Sequence, residues 1–83
     1  MAFTLKIKSK ARKNLSNIQE DYRSRIIAAL DEIVLNPFAG KKLSGKRNGQ
    51  YSVRVWRYRI NYIVKKMELL VLIIDIDHRQ GIY

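Results

Sequence analysis

Three arginines and four aromatic residues are concentrated in the twelve-residue segment YSVRVWRYRINY, residues 51–62. Arginine guanidinium groups match phosphate oxygens with two parallel hydrogen bonds, and they stay charged at every physiological pH. Aromatic rings provide surfaces on which an unpaired base can stack. If the fold brings these side chains to one surface, the residue types indicate a site for single-stranded RNA.

The alternation of apolar and polar residues predicts two strands here, over residues 51–56 and 58–65. Side chains two positions apart share a face of a strand. The apolar set is expected to face the core, which leaves Arg54 on the opposite face, and Arg59 joins it if the hairpin keeps the register. Three aromatic residues are expected in the core: Tyr51, Tyr58 and Tyr62.

The composition limits the classes of protein that the chain can represent. Its 83 residues make one domain, residues 1–83, and its net charge of +10 suits a polyanionic partner. Without cysteine and with a single histidine, a disulfide framework and a histidine or thiolate metal site are excluded, and no cofactor is expected. The start of the chain does not read as a secretory signal, and the apolar run 69–74 is too short to span a bilayer. We expect a soluble cytoplasmic protein.

The positive charge is concentrated in the second half of the chain. Residues 41–83 hold ten basic and three acidic residues, against seven and four in residues 1–40. The segment PFAGKKLSGKRNGQ, residues 37–50, contains three of the four glycines. We name it the basic loop, and its cations are Lys41, Lys42, Lys46 and Arg47. It is either a contact for phosphate or a solubilising linker.

The remaining elements follow from periodicity and capping signals. Residues 3–7 alternate as a short strand near a sheet edge, and Ser9 is a plausible N-cap for a first helix. Asn17 and Glu20 resemble a capping box for a second helix, which Asn36 ends before a proline. A third strand of the second half, residues 68–76, is apolar on both faces, as in a sheet centre. The order predicts an α+β domain with an antiparallel curved sheet and both helices on one face.

An ordered set of residues resembles the RelE/ParE superfamily of toxins from type II toxin–antitoxin systems, and the RelE branch in particular. The set covers KKLSGKRNGQYSVRVWRYRINY and the ending DHRQGIY. Its matching positions are Leu43, Gly45, Tyr51, Arg54, Val55, Tyr58, Arg59 and Tyr62, followed by an arginine shortly before a C-terminal tyrosine.

The resemblance implies a metal-independent, ribosome-dependent endonuclease that cuts mRNA in the ribosomal A site and is inhibited by an acidic, RelB-like antitoxin. It assigns Arg59 to the transition-state phosphate, Arg79 to the leaving group and Tyr83 to stacking on mRNA, with Arg54 at a basic position of the active face. Residues expected to contact RNA are Lys41, Lys42, Lys46, Arg47, Ser52 and Trp56.

The chain departs from the best-known members at Ser52 and Arg54, where they carry lysine, and at the turn Trp56-Arg57, where they carry Gly-Asp or Gly-Asn. Because arginine stays protonated, Arg54 is a poor general base, which leaves Lys46 and Tyr83 as candidates.

Two further residues and two other functions remain open. His78 directly precedes Arg79, so its ring is expected to point away from the face that Arg79 uses. Trp56 could stack on RNA, cap the hairpin or contact the antitoxin. The alternative functions are a ParE-like inhibitor of DNA gyrase and a non-catalytic module that binds RNA or the ribosome.

Overall fold

The computed structural model describes residues 2–78 of the protein. In this range the chain forms two α-helices and five β-strands. The helices are α1 (Ser9–Ser16) and α2 (Glu20–Leu35), and the strands are β1 (Thr4–Ile7), β2 (Lys41–Lys42), β3 (Tyr51–Val55), β4 (Tyr58–Lys65) and β5 (Leu70–His78). The predicted α+β class is confirmed, with one short strand, β2, that the sequence did not indicate. None of the helices in this range is both long and apolar enough to cross a membrane.

The five strands form one open sheet in the order β1-β5-β4-β3-β2. The predicted edge position of β1 and interior position of β5 are both confirmed. The expectation of a wholly antiparallel sheet was wrong for one pair, since β1 runs parallel to β5. Both helices and the strands β2 to β4 lie between β1 and β5 along the chain, so this parallel pair is not a hairpin.

The core lies on one face of the sheet, where both helices pack. Ile26, Leu30 and Ile33 of α2 are buried there, at the spacing typical of one face of a helix. The other buried apolar residues of this core are Ala11, Ile18, Ile60, Tyr62, Val71, Ile73 and Ile76. Neither of the α-helices described within residues 2–78 packs on the opposite face, and we call it the open face.

The helix starts differ from the predicted caps. Ser9 is the first residue of α1, and Lys8 is its N-cap. The capping box predicted at Asn17 does not form, because α2 begins at Glu20 after the cap residue Gln19. Asn17 instead ends α1, and its backbone N–H donates to carbonyls of the preceding turn. The predicted end of α2 at Asn36 is confirmed.

Candidate basic cleft

Arg54 and Arg59 lie directly opposite each other on neighbouring strands. The register of β3 and β4 pairs Val53 with Ile60 on the core face, and Arg54 with Arg59 on the open face. Directly opposed side chains have Cβ atoms roughly 5 Å apart, so both guanidinium groups can reach one anion. The predicted parity of these two arginines is confirmed.

The basic loop folds back onto the sheet beside this pair. β2 pairs antiparallel with β3 and sets Lys41 opposite Ser52, and the backbone N–H of Leu43 donates to the Gln50 carbonyl at 2.9 Å. Positive φ angles of 69° at Gly45 and 94° at Gly49 turn the chain between these strands, in a region that glycine enters without steric penalty. The segment is therefore an ordered hairpin extension of the sheet.

The loop and the arginine pair enclose two adjoining hollows of about 260 and 380 Å³. Both are lined by Lys41, Leu43 and Arg59. The remaining lining residues are Lys42, Ser44, Lys46, Arg47, Ser52 and Arg54. We name this depression the basic cleft. Every charged residue that lines it is a cation, so its field attracts anions.

A buried polar cluster lies beneath the loop and was not predicted. The side chain of Asp75 is only 4% exposed, and its Oδ2 lies 3.5 Å from Arg47 Nη2 and 3.8 Å from Lys10 Nζ. The Asn61 amide, fully buried, donates to Asp75 Oδ1 at 2.6 Å and to Asp77 Oδ2 at 3.1 Å. No group of three His, Asp or Glu side chains within residues 2–78 could hold a metal ion.

A β-bulge places these two aspartates on the open face. The β4–β5 register pairs Asn61 with Asp75 but Tyr62 with Ile73, which leaves Ile74 as an extra residue in β5. With strict alternation, Asp75 would share the core face with Ile73. The extra residue moves the acid to the other side. The repeat Ile-Asp-Ile-Asp at residues 74–77 was the sequence signal for this surface.

The structure does not bring Trp56 to the basic cleft. Its ring stacks on Tyr22 of α2 at a centroid distance of 4.6 Å, and Arg57 lies 5.0 Å from its ring centre. The two-residue turn forms without glycine because Trp56 itself adopts a φ of 58°. These contacts favour the hairpin-capping interpretation, and a role in RNA binding stays a prediction.

His78 lies on the opposite side of the sheet from Arg59, and its expected orientation relative to Arg79 stays a prediction. It pairs with Tyr58, a residue on the core-face side of β4, and the two rings are 4.9 Å apart. Arg79 and Tyr83 fall outside the described residues. Their assigned roles remain predictions.

A separate hollow, of about 330 Å³, lies on the helix side between α2 and the outer part of β3. Its walls include Ala29, Ile33, Val53 and Val55. We call it the apolar groove. Glu32 and Arg54 also line it, but it lacks the second arginine of the Arg54–Arg59 pair, so it is not the candidate active site.

Comparison with known proteins decides the family. The sequence profile of the family described as "ParE toxin of type II toxin-antitoxin system, parDE" matches residues 5–83. The chain belongs to this family. Among curated proteins, none matches the toxin significantly.

Solved structures show the same fold. The toxin–antitoxin complex RelBE2 from Mycobacterium tuberculosis contains a chain that is 23% identical, with a TM-score of 0.88, 95% of this toxin covered and 100% of that chain. For the archaeal RelE–RelB complex from Pyrococcus horikoshii, the identity is 22%, the TM-score 0.81 and the coverages 98% and 99%. For the RelB–RelE complex from Methanococcus jannaschii, the identity is 25%, the TM-score is 0.72, and 94% of each chain is covered. The toxin thus shares the fold of RelE chains across bacteria and archaea.

Proposed function

We propose that this toxin is a RelE-like endoribonuclease that cleaves mRNA in the ribosomal A site and thereby stops translation. The observation that carries the proposal is the Arg54–Arg59 pair on the open face, set in a cleft whose charged lining residues are all cations. Such a cleft suits a phosphate backbone better than a neutral or cationic substrate.

In the proposed reaction, the 2′-hydroxyl of a ribose attacks the phosphorus atom of its own 3′-phosphate. A bond forms from the 2′-oxygen to phosphorus, and the bond from phosphorus to the 5′-oxygen of the next nucleotide breaks. A base takes the 2′-hydroxyl proton, and the leaving oxygen receives a proton. The products are a 2′,3′-cyclic phosphate and a 5′-hydroxyl.

The arginines supply charge stabilisation for this step. Arg59 stabilises the negative charge that develops on the phosphate oxygens, and Arg54 adds a second positive charge beside it. One such contact to transition-state charge is typically worth about 10²–10³-fold in rate. From the resemblance, Arg79 supports the leaving oxygen and Tyr83 stacks on the message.

Proton transfer is assigned to Lys46, with Tyr83 as the alternative. Lys46 lines the same hollow as Arg59, which supports this assignment. General base catalysis contributes about 10²–10⁴-fold, whereas alignment of the nucleophile can lower a barrier by roughly 7 kcal/mol or more. An enzyme that takes its alignment from the ribosome can therefore act with a weak base.

The proposed partners are the ribosome with its mRNA in the cytoplasm and an acidic, RelB-like antitoxin. The apolar groove between α2 and β3 offers the antitoxin an apolar contact, and the charge of +10 favours an acidic partner. A type II toxin is encoded with such an inhibitor.

A second function, inhibition of DNA gyrase, is favoured by the family profile, which is named for ParE. Two assays on the purified protein separate the candidates. We expect primer extension to map cuts in ribosome-bound message, and DNA supercoiling by gyrase to continue unchanged. Inhibited supercoiling with intact message would establish the ParE-like function, and intact message with normal supercoiling would leave a binding module.

A further inference from the structure

Asp75 is an anomaly on a basic surface. It is the most deeply buried acid of the described residues, and it lies on the open face beneath the basic loop. Burying a carboxylate is costly unless cations and hydrogen bonds compensate for the lost water. Here the compensation comes from the Asn61 amide at 2.6 Å and from two cations, Arg47 and Lys10.

Arg47 connects this buried acid to the tip of the basic loop. Its side chain is 40% exposed, its Nη2 reaches Asp75, and its Nη1 donates to Gln50 Oε1 at 3.0 Å. Gln50 and Asn48 are tied into the same turn, because their backbone N–H groups donate to Arg47 and Gly45 carbonyls at 3.0 Å. If Arg47 left, Asp75 would lose one of its two compensating cations, so the pair favours the closed position of the loop.

We propose that Asp75 is a positioning residue that acts through Arg47 to hold the wall of the basic cleft. The loop supplies Lys46 and Arg47 to the lining of the 380 Å³ hollow, which Arg59 of β4 also lines. The contact between Asp75 and Arg47 therefore sets the distance between the proposed base and the phosphate-binding arginine. The inference rests on the proposed function for its effect on catalysis, but not for its effect on the loop.

For Asp75→Asn, the change in net charge and the proposed positioning role predict opposite effects on activity. Asp75→Asn is isosteric, can keep the acceptor for Asn61 and adds one unit of positive charge, which by itself favours RNA binding. The positioning role predicts slower cleavage despite that added charge, because a catalytic group misplaced by about 1 Å can cost up to ~10²-fold.

The experiment compares Asp75→Asn, Arg47→Gln and the double variant with Asp31→Asn. Asp31 is exposed on α2, so its substitution gives the same change in charge away from the open face. Hydrogen–deuterium exchange of residues 43–50 measures the loop, and cleavage of message on programmed ribosomes gives kcat and KM separately. Thermal unfolding is measured for every variant.

We expect Asp75→Asn to speed exchange in residues 43–50 and to lower kcat about tenfold without raising KM. Adding Asp75→Asn to Arg47→Gln should cause no further loss in kcat, since the effect passes through Arg47. Asp31→Asn should match the wild type. Unchanged exchange with unchanged kcat, or additive losses in the double variant, would overturn the proposal.

Two further outcomes are decided by the same measurements. If wild-type protein cleaves no message, the proposed function fails, and exchange in residues 43–50 alone decides whether Asp75 holds the loop. If Asp75→Asn does not fold, Arg47→Gln tests the contact from its exposed end. It should loosen residues 43–50, whereas Lys10→Gln should leave them protected, and equal protection in both variants would refute the contact.

Discussion

Tyr62 links the centre of the sheet to the chain that follows α2. Its side chain is fully buried, and its hydroxyl donates to the Pro37 carbonyl at 2.8 Å. Burial raises the pKa of the phenol above its ordinary value of 10.0, partly opposed by a backbone hydrogen bond from Gly40. Since the shift is upward, the folded state holds this proton more tightly than the unfolded state does.

The sign of that shift fixes its effect on stability. The contribution of Tyr62 is fully present below pH 10 and is lost as the pH rises through the folded-state pKa. We therefore expect urea unfolding to show a steeper loss of stability above about pH 10 in the wild type than in Tyr62→Phe. Parallel curves for the two proteins would contradict this assignment.

Several features of individual side chains could be read from the sequence. Strand parity was enough to put Arg54 and Arg59 together, because β3 and β4 alternate regularly in this region. Strand parity alone did not reveal the position of Asp75, because the bulge at Ile74 reverses the face of the residues that follow it.

At the scale of elements, the helices and the long strands were predictable, whereas the caps and β2 were not. A run of six or more residues at one period is a strong signal, but a two-residue strand such as β2 has no period at all. It exists because the turn at Gly45 and Gly49 returns the loop to β3. The capping box at Asn17 failed because α1 continues to Ser16 and uses that asparagine as its own C-cap.

The junction between α2 and β2 gives a test of this packing. Gly40 has an ordinary backbone conformation, but an added Cβ would collide with the Tyr62 hydroxyl and lie 3.2 Å from the Ser52 carbonyl oxygen. Because Tyr62 is buried and hydrogen-bonded, it cannot move away cheaply. We expect Gly40→Ala to lower the free energy of unfolding by about 1–3 kcal/mol in urea.

Gly45→Ala is the matched control, since that glycine has a φ of 69° and no atom within 4 Å of an added Cβ. Its destabilisation should come from backbone strain alone, at about 1 kcal/mol. A Gly40→Ala variant as stable as the wild type would show that the approach of this backbone to Tyr62 is looser than described.

At the scale of the whole molecule, the net charge of +10 should make RNA binding strongly dependent on salt. The logarithm of the affinity for a short oligouridine, measured by fluorescence anisotropy, should fall linearly with the logarithm of the salt concentration. Lys46→Gln should reduce the slope by about 0.7, the value for one phosphate contact to a single strand. Arg25→Gln, on the exposed side of α2, should leave the slope unchanged. Equal reductions would mean that RNA responds to total charge and not to the basic cleft.

The central claim is that guanidinium charge on the open face, and not histidine acid–base chemistry, carries cleavage. The most direct test is primer extension on ribosome-bound message with Arg59→Ala and His78→Ala at equal concentrations of folded protein. Arg59→Ala should lower the cleavage rate by about 10²–10³-fold, because it removes a contact to transition-state charge. His78→Ala should cleave like the wild type, since its ring packs against Tyr58 on the other side of the sheet. Full cleavage by Arg59→Ala together with an inactive His78→Ala would contradict the account.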